Sequence, residues 1–228
     1  MQSIILEFEE KVEEINEYFD FVQTTTHLTR DFDPTKTVII SESVHYILKS
    51  NLFLLLYNLI ESSFRNSLEK ICIEITSEEL SYQNLIPQIK QMWINKEYKN
   101  FGDNYHIRGT QKSEFVMNKI DTIAQEIVRI NFDDKLSGNV TPKIIKESII
   151  EYGLAIHQIP AENEPSLFTI KNKRNNLAHG NESFSECGRG YTLSELDEIK
   201  NKSTEYMKFI LTHIKTFIDN KQYKNAIQ

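Results

Sequence analysis

The segment between Ser43 and Ile75 decides the fold, and it reads SVHYILKSNLFLLLYNLIESSFRNSLEKICIEI. Its apolar side chains recur at steps of three and four residues, and it contains neither glycine nor proline. Because an α-helix has about 3.6 residues per turn, this spacing collects the apolar side chains into a wide stripe along the helix. The sequence therefore predicts one long, largely buried helix here.

Similar periodicity predicts further helices on both sides of this segment. Few stretches alternate with period two, so the sequence predicts an all-α fold, a bundle with long antiparallel helices. Thr141 before Pro142 and the Thr192-x-x-Glu195 box are helix starts, and Gly180 is a helix end. The expected loops are Thr24–Thr37 and Asn100–Thr110, and a short hairpin near His106 is left open. The expected helices are Ile4–Phe21, Ser43–Ile75, Leu85–Tyr98, Phe115–Ile130, Lys143–Tyr152, a helix from about Leu167 to Gly180, and a helix from Leu196 to near the C-terminus.

Length and composition indicate an ordinary globular chain. The 228 residues carry 26 Lys and Arg against 33 Asp and Glu, a formal charge of −7, which argues against a generally basic nucleic-acid coat protein. Seven glycines and five prolines are too few for a linker-rich or low-complexity chain. We expect residues 1–40 to form an N-terminal helix and loop appended to a helical domain over residues 41–228.

Cysteine usage and the N-terminus favour a cytoplasmic location. Cys72 and Cys187 are far apart in sequence, which suggests neither a disulfide framework nor a structural zinc site. The first residues are acidic, whereas a secretory signal begins with basic residues. The longest apolar run, Leu52–Tyr57, is far shorter than the roughly 20 residues that a membrane helix needs. No membrane association is expected.

One short segment could carry chemistry: the run KNKRNNLAHG from Lys171 to Gly180 places three cations and one histidine within ten residues of an acidic protein. The planar guanidinium of Arg174 matches phosphate oxygens and can stabilise added negative charge in a transition state. His179 supplies a nitrogen that titrates near neutral pH. Cleavage of RNA without a metal needs a base for the 2′-hydroxyl, a cation beside phosphorus and an acid for the leaving oxygen.

The spacing of the two residues limits how they can cooperate. Five residues on an ideal helix amount to a rotation of about 140° and a rise of about 7.5 Å, so Arg174 and His179 do not share one narrow face. Either the long arginine side chain reaches back, or a two-fold dimer lines one cleft with the same helix from each subunit. Asn175 shares a face with His179, so its amide could orient the imidazole or bind the phosphate.

The string Arg-Asn-Asn-Leu-Ala-His-Gly from Arg174 resembles the Arg-x4-6-His signature of the HEPN superfamily, in which a polar residue follows the arginine. Within that superfamily the chain is similar to the MAE-type HEPN-like nucleases of bacterial toxin and defence loci. The resemblance runs from about Ser41 to Phe217, and the other segments that carry it are Leu52–Leu68, Leu136–Val140 and Gly188–Thr192.

This resemblance implies an all-α bundle, a homodimer whose interface builds the cleft, and a metal-independent endoribonuclease that needs no cofactor and leaves a 2′,3′-cyclic phosphate. By position, Arg174 and His179 carry the cleavage. It also implies an RNA partner such as tRNA or mRNA, and an antitoxin or other regulatory protein in a toxin–antitoxin or anti-phage defence system. Some HEPN toxins have, two residues after the histidine, a tyrosine that a partner nucleotidyltransferase modifies, whereas Asn181 stands here.

A second hypothesis of another class is a non-catalytic HEPN-like module that dimerises and binds a nucleotide or a partner protein. In that case Arg174 would bridge to a carboxylate and His179 would cap its own helix. Replacing both residues by alanine separates the hypotheses, because only a nuclease would lose RNA cleavage while keeping its fold.

Several other residues are candidates for supporting roles. Glu61 interrupts the most apolar helix, and a buried polar group usually needs a partner, so we expect it to pair with Arg174 either for catalysis or as a structural ion pair. An exposed position for Glu61 is left open. Lys171 and Lys173 are the expected RNA-binding cations.

Other groups are weaker candidates. Cys187 lacks a group that would orient a base, so a thiol nucleophile is disfavoured. The scattered histidines do not have metal-ligand spacing, so a metal site is disfavoured as well. The aromatic residues that could stack on bases, although such residues more often belong to a core, are Trp93, Tyr98, Phe101 and Tyr105. The fragment Gly188-Arg189-Gly190 is interpreted as a surface turn rather than a phosphate loop.

Overall fold

The computed structural model of the chain describes residues 1–30, 40–102, 120, 123, 126–132, 136 and 138–225. These residues contain seven α-helices, and the only β-type pairing among them is two isolated bridges. The helices are α1 (Gln2–Arg30), α2 (Glu42–Ser77), α3 (Pro87–Gly102), α4 (Pro142–Glu151), α5 (Glu164–Ala178), α6 (Phe184–Arg189) and α7 (Leu193–Asp219). The predicted all-α fold class is confirmed.

Helix α2 is the central element of the bundle. It packs against α1, α5, α6 and α7, and it buries residues along its whole length, from His45 to Ile75. The hydroxyl of Ser41 caps its start by accepting a hydrogen bond from the Val44 N–H at 3.3 Å. The prediction of one long, largely buried helix is confirmed, and its burial by four neighbours explains why apolar residues cover so much of its surface.

Helix α1 packs against α2 and α7 and contributes apolar side chains to the core. Phe8, Ile15 and Phe19 belong to the same buried cluster as the apolar side chains of α2 and α7. The N-terminal helix is therefore docked on the bundle. The division of the chain near residue 40 into an appended segment and a main domain stays a prediction.

The prediction of a loop over Thr24–Thr37 is wrong at its start. Helix α1 continues to Arg30, so residues 24–30 are helical. Thr25 is fully buried, and its hydroxyl donates to the Val22 carbonyl at 2.6 Å and lies 2.7 Å from Nδ1 of His45 on α2. A threonine that bonds to the preceding turn and to a neighbouring helix is compatible with a helical backbone, although threonine-rich segments favour turns. Residues 31–39 lie outside the described part.

The expected helix from Phe115 to Ile130 is wrong at its C-terminal end. Residues 126–130 are not helical. The Val128 N–H donates to the Leu80 carbonyl at 2.9 Å, and the Ile130 N–H donates to the hydroxyl of Thr76 at 3.1 Å. These bonds tie the segment to the end of α2, so tertiary contacts replace the helical ones. Helix α3 extends to Gly102, beyond its expected end, so the loop expected from Asn100 to Thr110 was placed too early at its start. The hairpin left open near His106 lies outside the described residues.

Capping explains the starts of α4 and α7 and the end of α5. Thr141 accepts from the Ile144 N–H at 3.2 Å and caps α4, and Thr192 forms the expected capping box with Glu195. Gly180 has φ of +70°, the left-handed conformation that ends α5. The sequence did not predict the short helix α6, which has its own capping box between Ser183 and Glu186.

Gly188 has a packing role and is not part of a surface turn. It is buried near the end of α6, and a Cβ atom added there would lie 1.8 Å from the carbonyl oxygen of Tyr46 on α2. The backbone of α6 can therefore approach α2 this closely only with glycine at this position. No helix of the described residues is long and apolar enough to cross a membrane.

Candidate active site

Helix α5 places Arg174 against α2, where its guanidinium lies over the ring of Tyr57 with 4.5 Å between Cζ and the ring centroid. The ring is buried, and its hydroxyl accepts a hydrogen bond from the Val140 N–H at 3.1 Å. Burial raises the pKa of Tyr57, so the phenol stays neutral. A neutral aromatic face beneath a half-buried guanidinium stabilises its charge and limits its freedom.

Residues 138–140 also border the guanidinium. Gly138 has φ of +72°, and an ideal Cβ built on it would lie 3.6 Å from Nη1 of Arg174. The Gly138 N–H donates to Oε1 of Glu61 at 2.6 Å. Tyr57, Glu61, Gly138 and Val140 thus form a cradle around Arg174, which we call the arginine cradle.

Glu61 acts on the loop and not directly on the arginine. Among the described residues, the ion pairs do not include one between Glu61 and Arg174, which sequence reasoning expected. The carboxylate instead accepts the short bond from Gly138, whose backbone borders the guanidinium. A carboxylate satisfied by a backbone N–H holds this loop in place, and its negative charge still lies near the same site.

Asn175 is oriented toward the arginine. Its Oδ1 accepts a hydrogen bond from Nη1 of Arg174 at 3.0 Å, while its backbone carbonyl accepts from the His179 N–H, also at 3.0 Å. The side-chain amide therefore fixes the guanidinium, whereas sequence reasoning also considered a role on the imidazole. Together with the cradle, this bond leaves the remaining guanidinium donors to any bound anion.

His179 is the C-cap of α5 and is exposed. Within the described part of the chain its ring has no hydrogen-bond partner, so both ring nitrogens are open to a ligand. Gly180 turns the backbone after it, and the Asn181 N–H closes the helix by donating to the Asn176 carbonyl at 2.9 Å. The C-terminal part of α5 therefore carries the restrained guanidinium of Arg174, and its cap carries the imidazole of His179, which has no partner among the described residues.

The two expected RNA-binding lysines differ in their environment. Nζ of Lys173 contacts both carboxylate oxygens of Glu182, at 2.7 and 2.9 Å, and lies 5.5 Å from the centroid of the Tyr191 ring. Burial acts to lower the pKa of Lys173, but the hydrogen bond to Glu182, together with the charges of Tyr191, Cys187 and Glu182, outweighs it. The pKa is therefore raised, and the ammonium stays charged and paired. Lys171 is half-buried and, among the described residues, has no such partner.

Neither a reactive thiol nor a metal-binding cluster is found in the described part of the chain. Burial raises the pKa of the Cys187 thiol to about 11, so very little thiolate is present near neutral pH, in agreement with the sequence-based argument against a cysteine nucleophile. No cluster of three or more His, Cys, Asp or Glu side chains that could hold a metal ion occurs in the described ranges.

Sequence reasoning missed the residues that hold Arg174. Tyr57 lies on the apolar stripe of α2, where an aromatic residue looks like ordinary core, and the only local signal at Gly138 was its turn chemistry. Glu182 carried no signal, because its pairing with Lys173 depends on the turn after α5. Trp93 is largely buried, while nothing is described of the side chains of Tyr98, Phe101 and Tyr105.

The family comparison agrees with this architecture. A model of the HEPN_MAE_28990-like HEPN family matches residues 1–223, which includes every described helix. The chain is a MAE-type HEPN protein. No curated protein and no solved structure is significantly similar to it. The match begins at the first residue, so this HEPN protein shares α1, which the sequence-based resemblance had left out, with its family.

Proposed function

We propose that this HEPN protein is a metal-independent endoribonuclease, with Arg174 and His179 as its catalytic residues. One observation supports this most: a guanidinium restrained by the Tyr57 ring and the Asn175 amide lies five residues before an imidazole that is exposed and unpaired within the described part of the chain. A purely structural arginine would be expected to pair with Glu61, yet that carboxylate binds the Gly138 N–H.

In the proposed reaction, His179 accepts the proton of an RNA 2′-hydroxyl, whose oxygen then attacks the adjacent phosphorus. Arg174 stabilises the negative charge that gathers on the phosphoryl oxygens. The bond from phosphorus to the 5′-oxygen breaks, and that oxygen takes up a proton as it leaves. The products are a 2′,3′-cyclic phosphate and a 5′-hydroxyl.

A homodimer completes the proposed site, because one histidine cannot act as base and acid in the same step. A two-fold axis beside α5 would bring a second copy of both residues into one cleft and would supply the missing acid. We further propose a cytoplasmic role in toxin–antitoxin or anti-phage defence, with tRNA or mRNA as substrate, Lys171 as an RNA contact and an antitoxin or other protein as regulator. Lys173 contributes to RNA binding only if RNA displaces Glu182 from it.

The test is cleavage of total RNA and of tRNA by the purified protein in excess EDTA, with the product ends mapped. His179→Ala and Arg174→Ala should abolish cleavage, while His157→Ala, which removes another exposed histidine, should cut as the unmodified protein does. Thermal unfolding checks that every variant is folded. Cutting that persists in His179→Ala, or that requires a divalent metal, would reject the proposed mechanism.

The runner-up is a non-catalytic HEPN module that dimerises and binds a nucleotide or a partner protein. The pairing of Lys173 with Glu182 favours it, because this pair removes one of the three positive charges of the motif. In that case no RNA would be cut under any condition, and Arg174→Ala would weaken ligand or partner binding instead.

A further inference from the structure

A cavity of about 670 Å³ lies where α2, α3, α4, residues 129–132 and Leu136 meet. Leu68 of α2 and Leu136 contribute apolar wall, and so do two aromatic side chains, Trp93 of α3 and Phe132. Phe132 is half-buried, whereas Trp93 is only 5% exposed. The cavity therefore offers a flat ligand apolar surface on more than one side.

The rim of this cavity is polar and carries more positive than negative charge. Arg129 is exposed and, within the described residues, has no hydrogen-bond or ion-pair partner. Lys96 lines the same cavity and its Nζ donates to the Asn131 carbonyl at 3.2 Å, while Glu151 supplies a carboxylate. The side chains of Asn95 and Asn131 add amide groups. A flat ring with hydrogen-bonding edges and an attached phosphate, that is, a nucleotide, matches this combination.

The cavity lies on the same side of α2 as the arginine cradle. Relative to Tyr57, the helical rotation places Glu61 at about 40° and Leu68 at about 20°, so all three point in nearly the same direction. The rise from Tyr57 to Leu68 is about 16 Å. Leu136 in the cavity wall is two residues before Gly138, a chain length of about 7 Å, and Gly138 borders Arg174. A few nucleotides of extended RNA span this separation.

We propose that this cavity holds an unstacked base of the RNA, a few nucleotides from the phosphate bound at Arg174. Sequence-specific RNA recognition generally reads such splayed bases by placing them on aromatic side chains and bonding their edges. Arg129 binds the adjoining phosphate, and Phe132 and Trp93 contact the base. The cavity thus sets sequence preference near the cut, an inference that rests on the proposed nuclease function for its substrate.

The protein contains a single tryptophan, Trp93, so its intrinsic fluorescence reports on this cavity directly. The probe is a set of short RNA oligonucleotides with 2′-O-methyl groups, which lack the attacking hydroxyl and are not cut. Titration of the full-length protein in EDTA should change the Trp93 emission to saturation, with an affinity that depends on base identity. Fluorescence anisotropy of labelled oligonucleotides measures total binding in parallel.

Two variants and a matched control locate the bound base. Phe132→Ala and Arg129→Gln should each weaken oligonucleotide binding about tenfold, the usual effect of losing a stacking or phosphate contact. Arg189→Gln makes the same charge change beside Tyr46, which lies about 33 Å from Leu68 along α2, and should have little effect. Thermal unfolding confirms that each variant is folded.

Three outcomes would overturn the proposal: RNA binding by anisotropy without a change in Trp93 emission, unchanged affinity in both cavity variants, or a response to mononucleotides but not to oligonucleotides. Because the probe cannot be cut, these results do not depend on catalysis. Failure of the EDTA cleavage test would reject the nuclease while the fluorescence response remained. Cleavage with a silent Trp93 would reject this subsite alone.

Discussion

Replacing Tyr57 tests whether the arginine cradle matters for the proposed chemistry, and two substitutions separate the functions of its ring and its hydroxyl. Tyr57→Phe keeps the ring 4.5 Å from the Arg174 guanidinium but leaves the Val140 N–H without its acceptor. Tyr57→Leu removes the aromatic face as well. Thus only the second variant takes away the surface on which the guanidinium lies.

The magnitudes follow from these contacts. Loss of the hydrogen bond in Tyr57→Phe should lower the free energy of unfolding by about 1–3 kcal/mol, because the Val140 N–H is buried. Tyr57→Leu should cost more, since it also loses a cation–π contact of about 1–2 kcal/mol and leaves a gap in the core. An Arg174 that is no longer held should lose about tenfold or more in RNA cleavage, because misplacing a charged group weakens its action on the transition state.

The assays are urea unfolding and single-turnover cleavage of a defined RNA under conditions where both variants are folded. We expect Tyr57→Phe to cut within about threefold of the unmodified protein, and Tyr57→Leu to lose about tenfold in rate at saturating RNA. Equal rates for the two variants would refute the reasoning, because the aromatic face would then have no effect on the proposed role of Arg174. A loss confined to stability would assign Tyr57 to the core alone.

Three further predictions concern packing and titration. Gly188→Ala should destabilise the fold by about 3 kcal/mol or more, measured by urea unfolding, because its Cβ would lie 1.8 Å from the Tyr46 carbonyl oxygen; a loss below 1 kcal/mol would show that α6 can move away. Burial acts to raise the pKa of Glu78, but hydrogen bonds from Lys224, Tyr223 and Lys221 lower it to about 2. The ionised Glu78 carboxylate therefore stabilises the folded protein at a pH above the pKa of this group in the unfolded chain. This contribution to the free energy of unfolding is lost as the pH falls from about 5 toward 2. Glu78→Gln should reduce this acid dependence in thermal scans, and an unchanged pH profile would contradict it. Finally, burial raises the pKa of Cys187 to about 11, so little of the reactive thiolate is present at pH 8. Cys187 should therefore resist iodoacetamide in the native protein and react after unfolding, which mass spectrometry of its peptide can show.

The helices and their caps were largely predictable because they depend on local patterns. The spacing of apolar residues between Ser43 and Ile75 was sufficient to locate α2, and the hydroxyl residues Thr141 and Thr192 marked two helix starts correctly. The errors occurred where distant residues decide. Thr25 is helical and its hydroxyl contacts His45 of another helix. Residues 126–130 are not helical, and their N–H groups bond to Thr76 near the end of α2 and to Leu80 just after it.

For the candidate site, the sequence by itself determined which residues carry charge and titratable nitrogen. Arg174 and His179 were identifiable because their side-chain chemistry and their place at a helix end are local properties. Only the tertiary structure decided what holds them: the guanidinium lies on Tyr57, more than 100 residues away in sequence, and Glu61 binds the Gly138 loop instead of the arginine. Hydrogen bonds and ring contacts depend on distances between elements, and no pattern along one chain segment specifies these distances.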